Sequence, residues 1–83
     1  MSLRYLVTGG AGFIGSALVK RLVQEGQFVR VVDSNIRGRA RRLEPVANQI
    51  EFVDADIRDA VAVEREIENI DVVCHLAYIN GTE

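Results

Sequence analysis

At 83 residues the chain has the length of one small domain or half of a larger one, and a chain this short buries only about 60% of its unfolded surface, which makes it marginal alone. With 48% hydrophobic residues, 27% charged residues and a formal net charge of −2, it lacks both the composition of a disordered segment and the basic excess of a nucleic-acid-binding surface. No apolar run approaches the roughly 20 residues of a membrane span, no signal-peptide pattern precedes the first strand, and a single cysteine forbids an internal disulfide, so composition predicts a cytoplasmic globular protein with no nucleic-acid or membrane partner.

The first predicted element is a strand over about Arg4 to Thr8, with Tyr5, Leu6 and Val7 continuously apolar. A helix follows from about Phe13 to Glu25. Ile14, Ala17, Leu18 and Leu22 recur at helical spacing as its apolar face, and Gly26 is a natural left-handed terminator. Strand two is Phe28 to Asp33. A polar, arginine-rich connection comes next, containing Gly38 and Pro45 and at most a short helix. Strand three is about Glu51 to Asp54. Asp59 is placed to cap a helix running through Glu68. Strand four is Asp71 to Leu76, with Cys74 as a small buried hydrophobe. Helices alternating with apolar strands imply a parallel sheet, and right-handed crossovers give it the order 3-2-1-4. The expected fold class is therefore α/β, a Rossmann-type doubly wound sheet. Residues 1–83 are expected to form its N-terminal half, with strand four at an edge and one sheet face only partly covered.

The junction between strand one and helix one carries the chemistry. Gly9, Gly12 and Gly15 form G-x-x-G-x-x-G, and Gly10, Gly12 and Gly15 also satisfy G-x-G-x-x-G. Such glycines make the tight turn, let backbone approach a diphosphate, and let helix and strand pack closely. The helix that follows aims unpaired N–H groups and a positive dipole end at the anion. A Walker-type loop is excluded, because Ser16 and Ala17 stand where Lys and Ser/Thr are required.

Open parallel sheets bind ligands beyond the carboxyl ends of their strands, where the strand order reverses. Asp33 ends strand two, eighteen positions after Gly15, where a carboxylate takes the adenosine ribose hydroxyls of NAD. That charge opposes a 2′-phosphate and favours NAD over NADP. Arg37, Arg39, Arg41 and Arg42 pull the other way, or form a solvated basic turn offset by Glu44 and Glu51. After strand three, Asp56 could meet the adenine amino group while Ile57 packs on the ring; the alternative is a turn aspartate, as Asp59 is a cap. His75, the only histidine, reads as a core or rim residue at the end of strand four. No catalytic residue is expected in this span. Lys20 is the only lysine and lies on helix one, and no Tyr-x-x-x-Lys occurs, since Gly9 and Thr82 stand four residues after Tyr5 and Tyr78.

These residues resemble a known family. Thr8-Gly9-Gly10-Ala11-Gly12-Phe13-Ile14-Gly15 is similar to the signature of the extended short-chain dehydrogenase/reductases, specifically the NAD-dependent epimerase/dehydratases. Asp33-Ser34-Asn35-Ile36-Arg37-Gly38 resembles that family's ribose-binding turn. Asp56-Ile57-Arg58-Asp59 resembles its adenine-binding turn, and His75-Leu76-Ala77-Tyr78 its strand-four His-Leu-Ala-Ala. The resemblance implies that Gly9, Gly12, Phe13, Ile14 and Gly15 meet the diphosphate, that Asp33 and Asn35 hold the adenosine ribose, and that Asp56 and Ile57 hold adenine. Leu76, Ala77 and Tyr78 would border the inner ribose, with Tyr78 departing from the usual alanine. It also implies a longer enzyme whose catalytic Ser/Thr and Tyr-x-x-x-Lys follow strand four, acting on a nucleotide sugar by transient oxidation of a hydroxyl. A homodimer of the full-length protein is compatible with this. Two alternatives stand beside it: an NADP-dependent extended reductase of a carbonyl compound, and a dinucleotide-sensing module without chemistry.

Overall fold

The structure, a computed structural model, describes residues 3–10, 12–34 and 40–76. The elements run β1 (Arg4–Thr8), α1 (Phe13–Gln24), β2 (Phe28–Asp33), a 3₁₀ segment (Ala40–Gln49), β3 (Glu51–Asp54), α2 (Ala60–Glu66) and β4 (Val72–His75). All three strand pairings are parallel and the sheet order is β3-β2-β1-β4, the expected one. The carboxyl ends of β1 and β4 therefore flank the point where the order reverses.

Side-chain alternation divides the sheet into two faces. Tyr5 pairs with Val29, Val7 lies between Val31 and Cys74, and Val31 pairs with Phe52. This face meets Val19 and Leu22 of α1 and Leu43 and Val46 of the 3₁₀ segment, and Val7, Val19, Val29 and Val31 have no exposed surface. Each such side chain contributes about 1.5–3 kcal/mol relative to an exposed one. The opposite face buries Leu6 and Val32 but leaves Val73 of the edge strand β4 51% exposed. No residue of α2 is fully buried, so polar contacts at the ends of α2 do much of the holding. Asp59 caps it, accepting from the N–H groups of Val61 at 3.1 Å and Ala62 at 3.2 Å. Past its other end, Arg30 Nη1 donates to the carbonyls of Glu66 at 2.7 Å and Glu68 at 3.3 Å.

Several expectations are corrected. The buried row of α1 is Gly15, Ser16, Val19 and Leu22, whereas Ile14 and Ala17 are exposed and Leu18 is half-buried. Two of the four are small, and at Gly15 a Cβ would meet the backbone of Gly9 and Gly10, so local space as well as hydropathy chose the face. α1 stops at Gln24, one residue early. Gly26 takes φ 79°, the N–H of Gln27 reaches the Leu22 carbonyl at 3.1 Å, and that of Gly26 reaches Val23 at 3.0 Å, the pair of bonds that closes a Schellman end. α2 ends at Glu66 rather than Glu68, because Asn69 adopts φ 65° and Ile70 N–H turns back to Ile67. β4 is shorter by one residue at each end, although the N–H groups of Asp71 and Leu76 still bond to Arg4 and Thr8. The polar connection holds a ten-residue 3₁₀ segment that bends at Val46, directly after Pro45. At about three residues per turn, positions three apart share a face, which is how Leu43 and Val46 both reach the core from a polar stretch. Cys74 is half-buried and packs on the core edge.

Candidate functional site

The turn after β1 is set by Gly9 at φ 73°. Its N–H bonds to the Val32 carbonyl at 2.9 Å, and its carbonyl accepts from Gly12 N–H at 3.1 Å. The first helical bond of α1 runs from Ser16 N–H to the Gly12 carbonyl at 2.8 Å. The N–H groups of Phe13, Ile14 and Gly15 therefore have no acceptor within the helix. Gly12, the N-cap residue, supplies no side-chain cap. Three donors thus converge at the positive end of a twelve-residue helix. Phe13 and Ile14 are 80% and 71% exposed.

Gly15 makes the close approach of helix to turn feasible. A Cβ there would fall on the Gly9 carbonyl oxygen, with Gly10 Cα at 2.9 Å and the Gly9 carbonyl carbon at 3.0 Å. Gly12 is different. At φ −75° and ψ 179° its backbone suits any residue. The donor set, the absence of a side-chain cap and this glycine cradle fit the diphosphate of a dinucleotide.

Asp33 ends β2, is only 4% exposed, and lies in register with Asp54 at the end of β3. The turn after β3 is built on Asp56. Its carbonyl accepts from Asp59 N–H at 2.9 Å, its Oδ1 from Arg58 N–H at 2.9 Å, and its carboxylate from the Arg58 guanidinium. The side-chain and then the backbone bond from Arg58 hold the Asp56 carboxyl at about 2, below its ordinary 3.8. Ile57 is half-buried beside it.

Across the reversal point, the Thr8 hydroxyl stands 2.7 Å from His75 Nδ1. Leu76 N–H donates to the Thr8 carbonyl at 3.0 Å and to its hydroxyl at 3.1 Å. His75 lies at the exposed rim and Leu76 is 38% exposed. Of the sequence-predicted site residues, Gly9, Gly12, Phe13, Ile14, Gly15, Asp33, Asp56, Ile57 and Leu76 all lie at the carboxyl edge of the sheet. Asn35, Ala77 and Tyr78 fall outside the described residues. Sequence reasoning missed the Thr8–His75 pair, which only the β1–β4 register brings together, and the grip of Arg58 on Asp56, whose i, i+2 spacing is its sole sequence signal. Among the described residues there is no group of three or more His, Cys, Asp or Glu side chains able to hold a metal ion, and no helix long and apolar enough to cross a membrane.

Comparison with known proteins bears on this geometry. The model of the NAD dependent epimerase/dehydratase family matches residues 5–83. A UDP-N-acetyl-alpha-D-glucosaminuronate decarboxylase of Bacillus cytotoxicus is 39% identical over 83 residues, covering 100% of this chain and 26% of its own length. A 3 beta-hydroxysteroid dehydrogenase/Delta 5-->4-isomerase of Mycobacterium tuberculosis is 42% identical over 76 residues, 92% of this chain and 19% of its own. The crystal structure of dTDP-glucose 4,6-dehydratase from Bacillus anthracis in complex with NAD superposes with a TM-score of 0.85 at 27% identity, covering 94% of this chain and 27% of that one. The chain spans about a quarter or less of the length of these relatives.

Proposed function

The chain belongs to the NAD dependent epimerase/dehydratase family, and from that premise we propose that it is the adenosine-binding part of an NAD-dependent enzyme that transiently oxidises a hydroxyl of a nucleotide-linked sugar. The observation that carries the reading is the uncapped N–H triad of Phe13, Ile14 and Gly15 beside the reversal point of a parallel sheet. These donors and the turn at Gly9 hold the diphosphate. The backbone at Gly12 does not demand glycine, so the missing side chain there serves ligand access. Asp33 with Asn35 holds the adenosine ribose, and Asp56 with Ile57 meets adenine. Leu76, Ala77 and Tyr78 border the inner ribose, and the Thr8–His75 contact ties the end of β4 to the end of β1. When bound, NAD supplies the hydride acceptor and donor. Proton transfer at the sugar hydroxyl falls to groups outside residues 1–83, since the only lysine, Lys20, lies on α1 and no Tyr-x-x-x-Lys is present. The names of the decarboxylase and dehydratase relatives support the nucleotide-sugar assignment.

Titration of the full-length protein with NAD and with NADP, for wild type and Asp33→Ala, tests the reading. Wild type prefers NAD, because the Asp33 carboxylate opposes a 2′-phosphate. Asp33→Ala weakens NAD binding and narrows the preference. Tighter binding of NADP by wild type would show that the arginines after β2 set the choice.

A further inference from the structure

Thr8 is the last residue of β1 and directly precedes Gly9, on which the glycine turn pivots. It also receives the end of β4. Leu76 N–H is shared between the Thr8 carbonyl at 3.0 Å and the Thr8 hydroxyl at 3.1 Å. The same hydroxyl stands 2.7 Å from His75 Nδ1. A hydroxyl carries one proton and two lone pairs. With Leu76 N–H on one lone pair it can still donate to Nδ1 or accept from it, so the contact holds in either tautomer of the ring. β4 is an edge strand that pairs with β1 alone, and its Val73 is 51% exposed, so the placement of its end depends on β1.

We propose that His75 is a positioning residue for the nicotinamide half of the dinucleotide, acting through the Thr8 hydroxyl on Leu76. The inference rests on the reading of the glycine turn as the diphosphate site and of Leu76 as a border of the inner ribose. The Thr8 side chain has to stay in one rotamer for its hydroxyl to share Leu76 N–H, and His75 Nδ1 helps hold it there. Without the ring nitrogen, the hydroxyl loses one of its partners and turns more freely. Leu76 N–H then relies on the Thr8 carbonyl, and the end of β4 shifts more easily against Gly9. The ladder from Tyr5–Val72 to Val7–Cys74 is untouched, so β4 stays in the sheet. What changes is the spacing between the diphosphate turn and the residue beside the inner ribose. A ligand that reaches only the turn does not sense that spacing, whereas one that crosses the reversal point does.

Calorimetric titration of the full-length protein with ADP, ADP-ribose and NAD tests this. ADP ends at the diphosphate, ADP-ribose adds the inner ribose, and NAD adds the nicotinamide. The variants are His75→Phe, His75→Asn, Thr8→Val and Gly12→Val. Phenylalanine keeps an aromatic ring without nitrogens, and asparagine places a polar atom where Nδ1 stood. Thr8→Val removes the same contact from the other side with a side chain of nearly the same shape, so a folding defect in one variant leaves the other decisive. His75→Phe and Thr8→Val should bind ADP-ribose and NAD about two- to ten-fold more weakly than wild type, the range of one hydrogen bond, and ADP as wild type does. His75→Asn should bind all three as wild type does. Equal weakening of all three ligands in His75→Phe and Thr8→Val overturns the proposal, as does a His75→Asn variant that behaves like His75→Phe. If Gly12→Val keeps wild-type affinity for ADP, the assignment of the glycine turn fails and the proposal with it. If Gly12→Val loses ADP while His75→Phe and Thr8→Val bind all three ligands as wild type does, the turn assignment stands and the proposal alone falls.

Discussion

Replacing Gly15 by alanine tests the contact that docks α1 on the end of β1. Alanine gains about 1 kcal/mol over glycine in intrinsic helix propensity. Its methyl group, however, lands on the Gly9 carbonyl oxygen, with Gly10 Cα at 2.9 Å and the Gly9 carbonyl carbon at 3.0 Å. All three are backbone atoms of a turn fixed by hydrogen bonds to Val32 and from Gly12, so no side chain can swing aside. Overpacking of this kind costs about 1–3 kcal/mol, and shifting the turn strains a hydrogen bond worth about 1 kcal/mol. The steric cost outweighs the propensity gain, and the net loss is about 1–3 kcal/mol. At about 2–4 °C per kcal/mol for a domain of 150–250 residues, thermal unfolding of the full-length variant should move down by several degrees. NAD affinity should fall with it, because the three N–H donors ride on the displaced helix. Calorimetric melts and NAD titrations of wild type and variant measure both. A variant that melts at or above the wild-type temperature and binds NAD equally well would refute the close-contact role of Gly15.

Gly12→Val should separate binding from folding: its backbone angles suit valine, so the melt stays near wild type while NAD binding is lost, and a folded variant with wild-type affinity would sink the assignment of this loop to the diphosphate. Leu43→Ala removes a side chain that is 2% exposed and should cost about 2–5 kcal/mol in urea unfolding; a change within error would mean the 3₁₀ segment contributes nothing to the core. Because the Asp56 carboxyl is held at about 2, below its ordinary 3.8, the stability it contributes is complete above pH 3.8 and is lost as pH falls towards 2. Carboxyl-carbon NMR titration should show that depressed value in wild type and a return towards 3.8 in Arg58→Met; an equal titration in both would disprove the ion pair.

The order of elements, the parallel sheet and its strand order were readable from the chain alone. Hydropathy switches between strand runs and helical spacing, punctuated by Gly26 and by the glycine turn, and the glycine turn after the first strand points to the dinucleotide-binding order among those that right-handed crossovers permit. The placement of Gly9, Gly12, Gly15, Asp33 and Asp56 at the carboxyl edge of the sheet was readable for the same reason, since each follows or ends a strand defined by local pattern. Residues whose role depends on another segment were not. The core face of α1 was misread because Gly15 and Ser16, which carry little hydropathy, are buried, Gly15 directly against the backbone of the glycine turn. Leu43 and Val46 were hidden in a polar stretch until the 3₁₀ turn aligned them beneath α1. Thr8 and His75, 67 residues apart, became partners only through the parallel register of β1 with β4. Local pattern determines which backbone each segment prefers; the separations and registers between segments, which no single segment encodes, decided which side chains of the site and core touch.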